Sequence, residues 1–271
     1  MERSFKGILY PTRLPEFHRI PAPEAVAQLV QWFWIPEWDI EPGRTSRQQL
    51  IAYPTSNLVV LSNVVEFAGP ATRRSHRDLT GRGWAVGALV RPALVPYLTE
   101  DPGRMRDRLT TLSLPELHAA VSSAMGASEM GASEMATAET EERRRSAVGA
   151  FVDWLVGQHP AVSAEGELAN RMMDIIALDA DVVRIDDVAR RLSVSPRTLQ
   201  RLANKYVGLS PSALIRRRRL QDAAERLRTD PAAELAAIAA ELGYADHAHL
   251  TNDFRKVLGF TPSAYRRSTR S

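Results

Sequence analysis

The last third of this 271-residue chain contains one pattern twice. Ala189-x-x-Leu192-x-x-Ser195-Pro196-x-x-Leu199-x-x-x-Ala203-x-Lys205-x-x-Gly208-x-Ser210-Pro211-Ser212-Ala213 returns as Ala239-x-x-Leu242-Gly243-Tyr244-x-Asp246-x-x-x-Leu250-x-x-x-Phe254-x-Lys256-x-x-Gly259-x-Thr261-Pro262-Ser263-Ala264. The offset is 50 residues before the turn and 51 after it. A repeat of this kind marks one supersecondary unit used twice, so the architecture here is a tandem.

Each copy reads as helix, tight turn, helix. In the first, Ile185, Val188, Ala189 and Leu192 follow the i, i+3, i+4, i+7 spacing of a buried helix face. Ser193–Val194 supply the turn, Ser195 a cap, Pro196 a first helical position, and Gly208 a left-handed stop after about Val207. In the second, Leu235, Ile238, Ala239 and Leu242 form the face, Gly243 allows the turn, Asp246 caps and Gly259 terminates. Alanine at 189 and 239 lets the two helices cross closely, which is helix-turn-helix geometry with a second helix shaped for a major groove.

Charge divides along the same boundary. Residues 183–271 carry 17 Lys and Arg against 9 Asp and Glu, net +8, whereas residues 1–182 carry 18 against 23, net −5. A basic end beside an acidic one predicts a polyanion-binding module, because neutralising phosphate dominates nucleic-acid affinity. Leu199 and Leu202 face inward on the first reading helix and leave Arg197, Gln200, Arg201 and Asn204 outward; Leu250 and Phe254 do the same for His247, Ala248, His249, Thr251, Asn252 and Arg255. Arginine suits guanine and glutamine suits adenine.

The stretch Gly243-Tyr244-x-x-x-x-x-Leu250-x-x-x-Phe254-Arg255-Lys256-x-x-Gly259-Phe260-Thr261-Pro262-x-x-Tyr265-Arg266, together with the first copy, resembles the AraC/XylS family of bacterial transcription regulators over roughly residues 181–267. The resemblance implies double-stranded DNA as partner, with base reading at Arg197, Gln200, Arg201, His247, His249 and Asn252. Asn204, Lys205, Arg216, Arg255 and Lys256 fall where phosphate is contacted. One departure is Ala203, where the family usually carries an aromatic like Phe254, so the first unit is expected to pack less tightly. Ser210–Arg228 is the helix joining the units, and its run Arg216–Arg219 spreads over most of the circumference at about 100° per residue. One or two of these arginines are expected at phosphate, the others over apolar surface or paired with Asp222 and Glu225. A rigid joining helix would hold the readers about one DNA turn, ~34 Å, apart.

The first ~115 residues alternate short apolar runs with turn residues. Ile8–Tyr10, Trp32–Ile35, Leu50–Tyr53, Leu58–Leu61, Val64–Phe67 and Trp84–Val90 read as strands, and Glu24–Trp32 and the segments after Pro92 and Pro115 as helices. The fold class expected is α+β in two domains: a β-rich, sandwich- or barrel-like amino-terminal domain and an all-α carboxyl-terminal domain with two helix-turn-helix motifs joined by a helix. The boundaries read are a sensor or dimerisation domain at 1–121, a flexible linker at 122–145 around the duplicated pentapeptide Gly126–Met130 and Gly131–Met135, bridging helices at 146–180, and the DNA-binding domain at 181–271. The β-rich half resembles the cupin-like sensor domains attached to this DNA-binding module. Trp32, Trp34, Tyr53 and Trp84 are the aromatics an effector pocket would use, and aromatics of this kind are more often core residues. A homodimer and RNA polymerase are further expected partners.

Enzymatic readings find little. With no cysteine, thiolate nucleophiles, disulfides and cysteine-ligated metals are excluded, and with them the DNA-repair alkyl acceptors that carry a similar module. No G-x-S-x-G, P-loop or G-x-G-x-x-G occurs. The alternative, a cupin-like metal enzyme fused to a DNA-binding module, needs clustered ligands, and the β-rich half offers only the scattered His18, His76 and His118. No catalytic residue, metal or cofactor is assigned. No basic segment followed by a long apolar run is read, so no secretion signal, no membrane span and a cytoplasmic location are expected.

Overall fold

The computed structural model describes residues 17–50, 54–73, 75–126 and 137–268. The strand expected at Ile8–Tyr10, the aromatic Tyr53 and nearly all of the duplicated pentapeptide lie outside them. The chain forms an amino-terminal β-sheet domain and a carboxyl-terminal helical domain with two helix-turn-helix units.

Eight strands are present among the described residues: β1 (Phe17–Pro21), β2 (Val30–Asp39), β3 (Ser46–Leu50), β4 (Asn57–Leu61), β5 (Val65–Ala68), β6 (Ser75–Leu79), β7 (Arg82–Val90) and β8 (Leu109–Leu112). Six make an antiparallel sheet in the order β1-β2-β7-β4-β5-β8, and β3 and β6 pair as a separate ribbon. The helix expected over Glu24–Trp32 is instead a 3-10 turn at Glu24–Val26 followed by strand. Val30–Asp39 is rich in branched and aromatic residues, and its pairing with β7 gives it a central place in the sheet that overrides the helical spacing.

Strand alternation decides where the aromatics go. Phe33 and Ile35 are fully buried beneath α2 (Pro115–Gly126) and α3 (Thr137–Gly157), with Phe33 edge-on to Phe151 at 5.4 Å. Trp34 and Trp38 project from the other face over Val59, Leu61 and Ala85. Their cross-strand partners are Gly87 and Gly83, and a Cβ at Gly87 would lie 2.1 Å from the Trp34 indole. Trp84, paired with Glu37, packs into the core on the α3 side. The expected pocket of Trp32, Trp34, Tyr53 and Trp84 is thereby corrected: the sheet separates Trp84 from Trp32 and Trp34, and Tyr53 is not described.

Two boundaries shift as well. The stretch 122–145 is helical at both described ends, because α2 reaches Gly126 and α3 begins at Thr137. The bridging helices at 146–180 are not one unit: α3 completes the core under the sheet, whereas α4 (Ala164–Leu178) packs with the helical domain. After a 3-10 turn at Pro92–Leu94 and the short α1 (Val95–Leu98), the remaining helices are α5 (Ile185–Leu192), α6 (Pro196–Tyr206), α7 (Pro211–Thr229), α8 (Leu235–Glu241), α9 (His247–Leu258) and α10 (Pro262–Ser268).

Asn170 on α4 joins the halves. Buried at 1% exposure, its amide donates to the Gln28 carbonyl at 2.8 Å and accepts from the Ala93 N–H at 3.0 Å, while Arg91 meets Asp174 at 2.6 Å. Gly208 makes a second close approach: φ is +82°, and a Cβ there would fall 2.3 Å from the Pro102 carbonyl oxygen. Gly208→Ala is therefore expected to lower stability by about 1–3 kcal/mol, measured by urea unfolding. An unchanged midpoint would contradict this reading of the contact.

Candidate nucleic-acid interface

The two units close with the same local bonds. After α5, Ser193 turns through φ 54° and the Val194 N–H donates to the Ala189 carbonyl at 3.0 Å. After α8, Gly243 turns through φ 72° and the Tyr244 N–H donates to the Ala239 carbonyl at 2.8 Å. Each second helix is then capped, Ser195 Oγ accepting from the Thr198 N–H at 3.1 Å and Asp246 Oδ1 from the His249 N–H at 2.7 Å.

Burial sorts the faces of these second helices. Leu199, Leu202, Ala203 and Tyr206 lie inside α6, and Leu250, Phe254 and Leu258 inside α9. Phe254, Phe260 and Tyr265 fill the second core, with centroids 5.8–6.0 Å apart. The first core replaces that cluster with Met172, Met173 and Ile176 from α4 and the ring of Tyr206, so Ala203 is fully buried despite its size.

On the outer faces, Arg197, Arg201, Asn204 and Lys205 are exposed on α6, with Gln200 half-buried and donating to Asn204 Oδ1 at 3.0 Å. His247, His249, Asn252, Arg255 and Lys256 are exposed on α9. The His249 ring packs edge-on against Tyr244 at 5.2 Å. Arg197, His247, Asn252, Arg255 and Lys256 have no side-chain hydrogen bond or ion pair among the described residues, so their donors and acceptors stay available.

Glu165, in the first turn of α4, holds the other two α6 cations. Its carboxylate meets Lys205 at 2.8 Å and Arg201 at 2.6 Å, and these two partners hold it below the usual carboxylate range. The outer face of α6 borders a cleft of about 740 Å³ whose lining includes Glu100 and Asp101. A phosphate approaching α6 thus meets three carboxylates. Sequence spacing gave no signal for this, because Glu165 lies 40 residues before Lys205.

The arginine run on α7 has four separate destinations. Arg216, assigned to phosphate, lies half-exposed 3.5 Å from Asp253 on α9. Arg217 is buried and donates to the Thr72 and Arg73 carbonyls at 2.9 and 3.2 Å. Arg218, also buried, donates to the carbonyls of Val182 and Ala180 beside the first unit and pairs with Asp222 at 3.1 Å. Arg219 lies 3.8 Å over the Tyr244 ring of the second unit, where burial pushes the phenol up to about 12. The pairing of Arg218 with Asp222 agrees with expectation. The contact of Arg217 with the amino-terminal domain was invisible in the sequence.

Among the described residues, no group of three or more His, Asp and Glu is placed to hold a metal, and no helix is long and apolar enough to cross a membrane. His18 on β1 lies 3.5 Å from Arg144, His118 on α2 lies 3.2 Å from the Ser62 carbonyl, and His76 stands on β6.

Residues 188–268 match the family model described as a helix-turn-helix domain, and residues 18–108 one described as a domain of unknown function (DUF6597). Among curated proteins, the regulatory protein PocR of Salmonella typhimurium is 33% identical over 87 residues, covering 32% of this chain and 28% of its own length. The transcriptional activator RhaS of Escherichia coli is 36% identical over 83 residues, covering 31% of this chain and 30% of its own length. The chain thus spans less than a third of these relatives. Among solved structures, ToxT of Vibrio cholerae aligns over 93% of this chain and 97% of its own at 10% identity, with a TM-score of 0.43.

The carboxylate between Arg201 and Lys205 makes one outcome specific. Glu165→Gln is expected to raise affinity for a nonspecific duplex by about two- to fivefold at low salt and to steepen its salt dependence, read by fluorescence anisotropy. Weaker binding by the variant would show that Glu165 orients these cations for DNA instead of competing for them.

Proposed function

We propose that this chain, whose residues 188–268 match a helix-turn-helix domain model and resemble the transcriptional activator RhaS, is a transcription regulator of the AraC/XylS type that reads a specific duplex sequence with both units at once. One observation carries the reading. On the outer faces of α6 and α9, polar side chains including Arg197, His247 and Asn252 stand outward with no partner among the described residues, above apolar cores that fix the helices beneath them.

In this reading Arg197, Gln200, Arg201, His247, His249 and Asn252 address base edges, and Asn204, Lys205, Arg216, Arg255 and Lys256 address phosphate. Gln200 and Arg201 exchange Asn204 and Glu165 for DNA on binding, which tunes affinity downward without removing the site. The chemistry is recognition alone, with no bond made or broken. A cytoplasmic location follows from the target, and RNA polymerase is the partner through which bound protein would act. The amino-terminal domain serves as the sensing or dimerising part, and its links through Asn170 and Arg217 provide a route by which its state reaches the readers.

Selection of bound genomic fragments followed by footprinting tests this. Two adjacent protected major-groove segments are expected, and failure to protect any site would overturn the reading. Arg197→Ala and Asn252→Ala should each cost about 1–3 kcal/mol and relax preference at one position, whereas Arg255→Ala should weaken all sequences alike and reduce the salt slope by about one.

A further inference from the structure

The three-way junction between loop 71–73, α7 and α9 holds a cleft of about 470 Å³, a volume within the ordinary range for small-molecule sites. Leu209, Ala213, Leu220 and Val257 give it an apolar lining. Arg73, Arg216, Arg217 and Lys256 supply four cations, and no carboxylate lines it. Two acids stand behind the lining and meet two of these cations: Asp107, which accepts from the Thr72 N–H, lies 3.9 Å from Arg73, and Asp253 lies 3.5 Å from Arg216.

Arg217 is the unusual member. The residue is only 4% exposed, yet among the described residues no carboxylate lies within ion-pair distance of it. Two of its nitrogens reach carbonyls, and Nε is buried without a hydrogen-bond partner. Burial pushes this guanidinium down to about 10, so at neutral pH it remains charged and poorly solvated. A buried, half-satisfied cation at the edge of an apolar cleft, beside Lys256 without an ion pair among the described residues and Arg73 only 3.9 Å from its acid, suits a group of the opposite charge.

We propose that this cleft is a binding site for a small organic anion, a carboxylate or phosphate monoester with a compact apolar body. The anionic group takes the Arg217 Nε–H and the rim charges of Arg73 and Lys256, and the body lies against Leu209, Leu220 and Val257. The ligand bridges the amino-terminal domain to the helix that joins the two units, so binding fixes one relative to the other. Ligand binding by the free chain does not require the DNA-reading assignment, so either can fail alone. Lys256 is shared with the phosphate set, so the tests use Arg73 and Arg217.

Calorimetric titration and thermal unfolding of the full chain at low salt are the experiments, with benzoate and phenyl phosphate as probes, benzyl alcohol as the uncharged counterpart and inorganic phosphate as the anion without a body. Saturating benzoate or phenyl phosphate should raise the midpoint by about 5 °C, with little effect from benzyl alcohol and a weaker one from inorganic phosphate. Arg73→Gln should weaken the organic anion about fivefold and Arg217→Met should abolish the charge preference; if the latter does not fold, Arg217→Lys provides the same comparison with the charge kept and the planar fork removed. Equal stabilisation by benzoate and benzyl alcohol, an unchanged affinity in Arg73→Gln, or no response to any anion at tens of millimolar would each overturn the site.

Discussion

Four guanidinium groups on one helix hold this molecule in register. Residues 216–219 rotate by about 100° each, so a run that looks like a single basic patch in the sequence cannot act as one. Arg218 secures the entrance to the first unit through the carbonyls of Val182 and Ala180, Arg219 and Arg216 reach the second unit at Tyr244 and Asp253, and Arg217 reaches the sheet domain at Thr72 and Arg73. Buried charges with multiple hydrogen bonds are costly to rearrange, which favours one geometry over many. This one turn of α7 touches both helix-turn-helix units and the amino-terminal domain, and it adds to the links that Asn170, Asp174 and Gly208 make between the domains.

Around that turn, the outer faces of α6 and α9 differ in character. The α9 face is open, with His247, Asn252, Arg255 and Lys256 uncommitted among the described residues. The α6 face is partly spoken for by Glu165 and looks across a cleft to Glu100 and Asp101. In the proposed reading, these charges bias the second unit toward first contact with a polyanion, and the first would engage by exchanging the Glu165 carboxylate at Arg201 and Lys205 for phosphate or base.

Local chemistry made the tandem units legible. The caps at Ser195 and Asp246, the left-handed Gly208, Gly243 and Gly259, and the inward Leu199, Leu250 and Phe254 all follow from rules acting within a few residues. Contacts between distant residues were not legible: Arg217 meets Thr72 across 145 positions, and Asn170 meets Gln28 across 142. The same limit explains the misassigned Glu24–Trp32, where pairing with β7 outweighs local periodicity, and the tryptophans, whose grouping ignored that neighbouring strands send paired residues to the same face. Helix α4 was found in the sequence, but its place filling the core under Ala203 depends on long-range packing.

The proposal that both units read one duplex together is tested most directly by inserting five base pairs, about half a helical turn, between the two segments of a bound site and measuring affinity. Rotation of one half to the far side of the duplex should reduce binding to that of a single half-site. Full affinity for the lengthened site would show that the two units move independently and that α7 does not fix them.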